Sequence, residues 1–234
     1  MARRAPSRVG QPVRPVAAGA VTPYSGARPS RVHVIGGEAT GKTTIARRIG
    51  ATLRAPVHNL DSVAWVIGES EFTVLDPLYQ PSTSVEDRPL EDRLRIVAEI
   101  AAGPTWVTEG KYLGWPIALF ERADVIVFLD HVALGTAIGR ILGRAARSAV
   151  REAGREARPG RVASLRSKVV HGWELAIQIL KRIAFEVGPA RGRVGRDGEP
   201  TRAAMIAALL PYRNKVIRVC RTEDLERFLA GLVA

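Results

Sequence analysis

The sequence predicts a three-layer α/β/α fold built on a five-stranded parallel sheet. Three observations predict it. Short apolar runs rich in β-branched residues alternate along the chain with segments of helical periodicity. One of these runs, residues 123–129, is apolar almost throughout, as a parallel strand covered on both faces requires. The 234 residues, 46% of them apolar, suffice for one domain with a sizeable core and exclude a wholly disordered chain.

Taken in order, residues 1–30 contain Pro6, Pro12, Pro15, Pro23 and Pro29 with small residues between them, and are expected to form a disordered basic tail. The domain is expected over 31–234. Residues 32–35 read as its first buried strand. A Gly-rich turn follows, then a helix over 43–53 marked by Ile45, Ala46, Ile49 and Leu53. Residues 56–60 read as a second strand ending at Asp61. Residues 62–88 have scattered Pro and acids and read as an insertion. A helix is expected over 89–102, with Pro89 in its first turn. Residues 105–108 and 123–129 give the third and fourth strands. Helices are then expected over 134–147 and 169–187, with a lid region at 140–168 and a Gly- and Arg-rich loop insertion at 188–202. A short helix at 203–210 closed by Pro211, a fifth strand at 215–220 and a last helix at 222–232 with Thr222 as its cap complete the chain.

The net charge is +12 and unevenly spread. Residues 1–30 hold five Arg and no acid, residues 140–168 hold nine basic residues against Glu152 and Glu156, and the remainder is neutral. The single Cys220 excludes a disulfide framework and a Cys-based zinc site. No run of 18 apolar residues is present, so no membrane-spanning helix is expected; with the lone cysteine and no signal segment, this points to the cytoplasm.

Gly36-Gly37-Glu38-Ala39-Thr40-Gly41-Lys42-Thr43 matches G-x-x-x-x-G-K-[ST] in full, between a predicted strand and a predicted helix. Glycines let the backbone wrap phosphates with its N–H groups inward, and the helix N-terminus beginning at Thr43 and Thr44 adds positive potential. Lys42 is expected on the β- and γ-phosphates and the Thr43 hydroxyl on Mg²⁺, so ATP and Mg²⁺ are the expected ligands. The fold class is therefore the three-layer P-loop NTPase fold.

Three acids lie at predicted strand ends, where parallel sheets bind ligands: Asp61, Glu109 and Asp130. Asp61 is suited to hold Mg²⁺ through water or to act as base toward an attacking hydroxyl. Glu109 falls where a second acid that organises Mg²⁺ is expected. Asp130 reads equally as a helix cap. Arg140, Arg144, Arg147 and Arg151 share one helical face, and an Arg-bearing lid would supply charge to a transferring phosphoryl group. Tyr112, Trp115 and Trp65 are candidates to line an acceptor pocket.

These residues, in this order, resemble the P-loop nucleoside monophosphate kinase-like group, and within it the adenylate-kinase-related topology modulation (FlaR-like) proteins. The likeness rests on the phosphate loop, on His58-Asn59-Leu60-Asp61-Ser62-Val63-Ala64-Trp65, on Glu109-Gly110-Lys111-Tyr112 and on Phe120-Glu121-Arg122-Ala123-Asp124. It implies an ATP-dependent phosphotransferase with a small-molecule acceptor, a nucleotide or nucleoside among the candidates. It also implies that Arg140 lies against the adenine or its phosphates, that Arg144 contacts the phosphates and that the 62–88 insertion lies on the acceptor side. The chain departs from adenylate kinases at Leu113, where an Arg that grips a monophosphate would stand; Lys111 is a point charge rather than a fork. The alternative to a kinase is a nucleotide-dependent regulator or nucleic-acid-binding ATPase that uses the basic tail and helix. Against it, no recognition helix or RNA-binding signature is visible.

Overall fold

The structure is a computed structural model. It describes residues 27–67, 85–130, 133–156, 165–189, 193–194 and 199–233, without the side chains of 67, 85, 144, 148–156, 165–174, 193–194 and 199. The expected tail lies outside these residues up to 26. Residues 28 and 30 are already tied to the domain: Arg28 donates to the Thr52 carbonyl and the Ser30 amide to Asp124.

The chain runs β1 (Arg31–Gly36), α1 (Lys42–Leu53), β2 (Val57–Asn59), α2 (Leu60–Ala64), β3 (Trp65–Ile67), β4 (Val85–Asp87), α3 (Leu90–Ala102), β5 (Trp106–Gly110), α4 (Ile117–Arg122) and β6 (Val125–Leu129). It continues through α5 (Leu134–Glu156), α6 (Leu165–Val187), β7 (Arg193–Val194), β8 (Glu199–Pro200), α7 (Arg202–Leu209), a 3₁₀ turn (Leu210–Tyr212), β9 (Val216–Val219) and α8 (Thr222–Gly231). Five strands form a parallel sheet in the order β2-β5-β1-β6-β9. The connection leaving β1 runs to one side and that leaving β6 to the other, so the order reverses between these two neighbours, and ligands bind outside the carboxyl ends of strands at such a point.

The pleat sorts the apolar residues onto two faces. Val125, Val127 and Leu129 of β6 pack with Ile45, Ala46 and Ile49 of α1 and with Leu225, Phe228 and Leu229 of α8. Ile126 and Phe128 of the same strand pack on the other face with Leu60, Val97, Leu119, Phe120, Phe185 and Met205. The three central strands β1, β5 and β6 thus bury both sets of side chains, which is why β6 reads as a continuous apolar run rather than an alternating one. His33 is fully buried within β1; its Nδ1 lies 2.8 Å from Thr108 Oγ1, and its ring meets Phe120 edge-on at 4.7 Å.

Several elements differ from the sequence reading. Leu60 and Asp61 leave the second strand and open α2, because the Asn59 side chain accepts the Asp61 amide at 2.8 Å and caps that helix. Glu109 and Gly110 belong to β5 instead of following it. Residues 62–88 contain the end of α2 and an antiparallel β3–β4 pair, and 188–202 contain the small antiparallel β7–β8 pair. α5 extends to Glu156 and α6 begins at Leu165, so the expected lid region is two packed helices joined by residues outside those described. Arg221, not Thr222, is the cap of α8; the Asp224 carboxylate accepts the Arg221 amide at 2.9 Å and the Cys220 amide at 3.1 Å. Among the described residues, no helix is long and apolar enough to cross a membrane.

Candidate phosphate-binding site

The loop from Gly36 to Thr43 starts at the reversal between β1 and β6. A Cβ on Gly36 would come 2.9 Å from the Leu129 carbonyl oxygen of β6, so the turn leaves the sheet with no room for a side chain. Gly37 is held from behind: the Phe185 ring of α6 lies 2.7 Å from where its Cβ would be. Gly41 has φ +91° and Ala39 φ +57°. Gly41 takes that left-handed conformation at little cost, whereas Ala39 stores backbone strain in the loop.

The loop is closed by its own side chains. Thr40 Oγ1 and Lys42 Nζ both donate to the Gly37 carbonyl, at 2.8 and 2.7 Å. Burial pushes the Lys42 ammonium below the ordinary lysine range, while Glu109 and Asp61 pull it back. A further negative group arriving at the loop would favour the charged ammonium more.

Three parallel strands carry the acids to this loop in register. Val34 of β1 is level with Glu109 of β5, which is level with Asn59 of β2. Glu109 is 2% exposed and accepts a hydrogen bond from Thr43 Oγ1 at 2.8 Å. Its carboxyl is raised above the usual range, first by burial, with Lys42 and the Thr43 hydroxyl opposing. Asp61, one residue into α2, accepts the Tyr112 hydroxyl at 2.8 Å, and Trp65 Nε1 donates to the same hydroxyl at 3.2 Å. Trp115 leans on Tyr112 with ring centroids 4.9 Å apart. Lys111 and Glu38 form an ion pair at 3.0 Å, joining the end of β5 to the loop.

On the opposite side, Arg140 of α5 donates to the Ala39 carbonyl at 3.1 Å, so α5 crosses the loop at this residue. The side chains of Arg144 and Arg151 lie outside the described residues. Asp130 does not cap a helix: its carboxylate, 3% exposed, is held by Arg202 of α7 and Arg218 of β9.

The structure therefore brings Lys42, Thr43, Glu109, Asp61 and Arg140 around one loop. Glu38 enters the sequence reading as one of the loop positions expected to bind the nucleotide, without its pairing to Lys111, and Phe185 not at all. The Glu38–Lys111 pair joins residues 73 apart, and the Phe185–Gly37 approach depends on where α6 lands, so neither leaves a local signal. Among the described residues no group of three or more His, Cys, Asp or Glu is gathered to hold a metal. The donor set suits Mg²⁺, which binds through one or two protein oxygens and completes its shell with water and substrate phosphates. Thr43 and Glu109 offer two such oxygens side by side.

No family model matches the chain, and no curated protein matches it. Among solved structures, a gluconokinase from Sinorhizobium meliloti 1021 aligns over 88% of this chain and 92% of that chain, with a TM-score of 0.39 and 16% identity. The assignment of the fold as α/β with a five-stranded parallel sheet flanked by helices rests on the strand order and the two packed faces.

Proposed function

We propose that the protein is a P-loop phosphotransferase that moves the γ-phosphoryl group of ATP, with Mg²⁺, to a small-molecule acceptor. The observation that supports this reading most is the hydrogen bond from Thr43 to the buried Glu109, beside Lys42 on the loop. It unites a phosphate loop and an acid from the adjacent strand in the pair that organises a nucleotide-bound cation.

The chain's residues then take these parts. Loop amides and Lys42 bind the phosphates. Thr43 and Glu109 would hold Mg²⁺, which supplies neutralisation of phosphate charge when bound. Arg140 reaches the loop from α5 and adds positive charge. Asp61 is oriented by Tyr112 and acts as base: it takes the proton of the acceptor hydroxyl as the new O–P bond forms and the β–γ bridge bond breaks, with ADP leaving on the bridging oxygen. Positioning and charge stabilisation supply most of the rate in such transfers.

The test is ADP formation from Mg-ATP in the presence of nucleosides, nucleoside monophosphates and polyols. Acceptor-dependent ADP that disappears in Lys42→Ala supports the reading. ADP formation indifferent to every acceptor, or unchanged in Lys42→Ala, overturns it.

A further inference from the structure

The acceptor side of the site is defined by contacts that run continuously from the loop to β3: Glu38 to Lys111, then the neighbouring Tyr112 to Asp61, Trp65 and Trp115. Two features of this side point the same way. Among the described residues, the cations along this side are already committed. Lys111 is engaged by Glu38; Arg88 donates to the Val63 carbonyl of α2 at 3.0 Å; Arg93 donates to the Arg88 carbonyl at 2.6 Å and pairs with Asp87 at 3.0 Å. Leu113 adds no charge. The second feature is a buried acceptor atom in need of a donor. Glu38 Oε1 takes Lys111, but Glu38 Oε2 is buried with no hydrogen-bond partner among the described residues. A buried carboxylate oxygen left this way carries its full desolvation cost, and a ligand hydroxyl would relieve it.

Resting on the phosphotransferase reading above, we propose that the acceptor is an uncharged, hydroxyl-bearing molecule. It hydrogen-bonds Glu38 Oε2 and Asp61, and Glu38 excludes its phosphorylated counterpart. A neutral polyol or nucleoside brings donors to both carboxylates and an apolar face to Tyr112 and Trp115. A monophosphate brings two negative charges toward Glu38 and Asp61 and meets one lysine that Glu38 already neutralises. Selectivity arises as much from this repulsion as from the hydrogen bonds. Glu38 is thus a specificity residue built into the phosphate loop, and Lys111 is its counterweight.

Equilibrium binding tests this, read by tryptophan fluorescence with the loop first saturated by Mg-ADP. The probes are matched pairs: adenosine and AMP, uridine and UMP, glucose and glucose 6-phosphate, glycerol and glycerol 3-phosphate. At least one neutral member is expected to bind ten-fold or more tightly than its phosphorylated partner. Glu38→Gln is expected to narrow that ratio and Lys111→Met to widen it. The opposite signs separate a charge filter from a merely structural ion pair, whose loss would weaken both members alike. Tighter binding of a phosphorylated member, binding of neither class, or a ratio that both variants move in one direction overturns the proposal. Binding with this selectivity but without acceptor-dependent ADP formation would strike the phosphotransfer reading and leave the selectivity standing.

Discussion

Thr43 Oγ1 and Glu109 Oε1 are 2.8 Å apart although 66 residues separate them in the chain. Thr43 lies in the first turn of α1, and Glu109 lies inside β5, which pairs directly with β1. The parallel register brings the two together: Glu109 is level with Val34, two residues before the loop begins. Replacing Glu109 with Gln keeps the shape and removes the charge. Turnover is expected to fall about 100-fold or more, with a higher Mg²⁺ requirement. ADP formation measured across a Mg²⁺ titration checks this; a parallel drop at every Mg²⁺ concentration would speak against a role at the cation.

Asp61→Asn is expected to lower kcat by roughly 10²–10⁴ with little change in the KM for ATP, since in the proposed mechanism it removes the base and not a phosphate contact. Tyr112→Phe removes the hydroxyl that donates to Asp61 and accepts from Trp65. It is expected to cost about ten-fold or less in kcat and to shift the pH profile of kcat, which a purely structural role for Tyr112 would leave in place.

The close approach of Phe185 to Gly37 makes a sterically coupled pair. Gly37→Ala is expected to weaken ATP binding about ten-fold by pushing the loop off α6. Gly37→Ala combined with Phe185→Leu is expected to recover much of that loss. Titration of ATP into the two single variants and the double variant completes the cycle, and a coupling of about 1 kcal/mol or more is expected for residues in contact.

His33 is buried and held neutral, with its pKa lowered from 6.5 to about 3. The cause is desolvation of the imidazolium, with Thr108 as its one hydrogen-bond neighbour among the described residues. Below pH 6.5 the unfolded chain takes up a proton that the folded chain refuses until about pH 3. Stability is therefore lost as pH falls through that window, by about 1.4 kcal/mol per unit and so about 2–3 kcal/mol by pH 4.5. Urea unfolding of the protein and of His33→Gln at pH 7 and pH 4.5 measures it; the variant's pH dependence is expected to be shallower by that amount.

Asp130 joins Arg202 of α7 to Arg218 of β9, and Glu186 of α6 ties Arg182, itself buried, to the same group. Asp130→Ala removes the carboxylate shared by both guanidiniums and leaves Arg202 only the more distant Glu186, at 3.8 Å. Each is about one-third exposed and can turn to water, so the cost is expected near 1–3 kcal/mol. Denaturant unfolding reads it directly.

The sheet and the phosphate loop were legible because their signals are local: buried strands read as unbroken apolar runs, and the loop motif sits between one such run and an amphipathic helix. Asp61 was legible as an acid near a strand end, but its place on α2 was not, because the Asn59 cap ends the strand two residues early. The six residues of α4 span less than two helical turns and give no periodicity to read. Asp224 was passed over as the partner of the cap because Thr222 is the commoner capping residue, while the carboxylate three residues beyond Arg221 takes its amide instead. Asp130 read as a cap because nothing nearby announces Arg202 and Arg218, 72 and 88 residues further on. Glu38 is legible as a residue of the nucleotide loop, but its ion pair is not, since that depends on Lys111 at the end of another strand.

The pleat of β5 has a consequence for how this chain can change over generations. Trp106 faces one core, Val107 the other, Thr108 meets His33, and Glu109 turns to α1 and Thr43. Exchanging one aliphatic residue for another at Val107 alters packing and leaves every other side chain on its own face. Deleting or inserting a single residue before Glu109 would rotate the acid to the far face and leave Thr43 opposite Thr108 or Gly110. Inheritance can therefore rewrite the spelling of this strand more freely than its length.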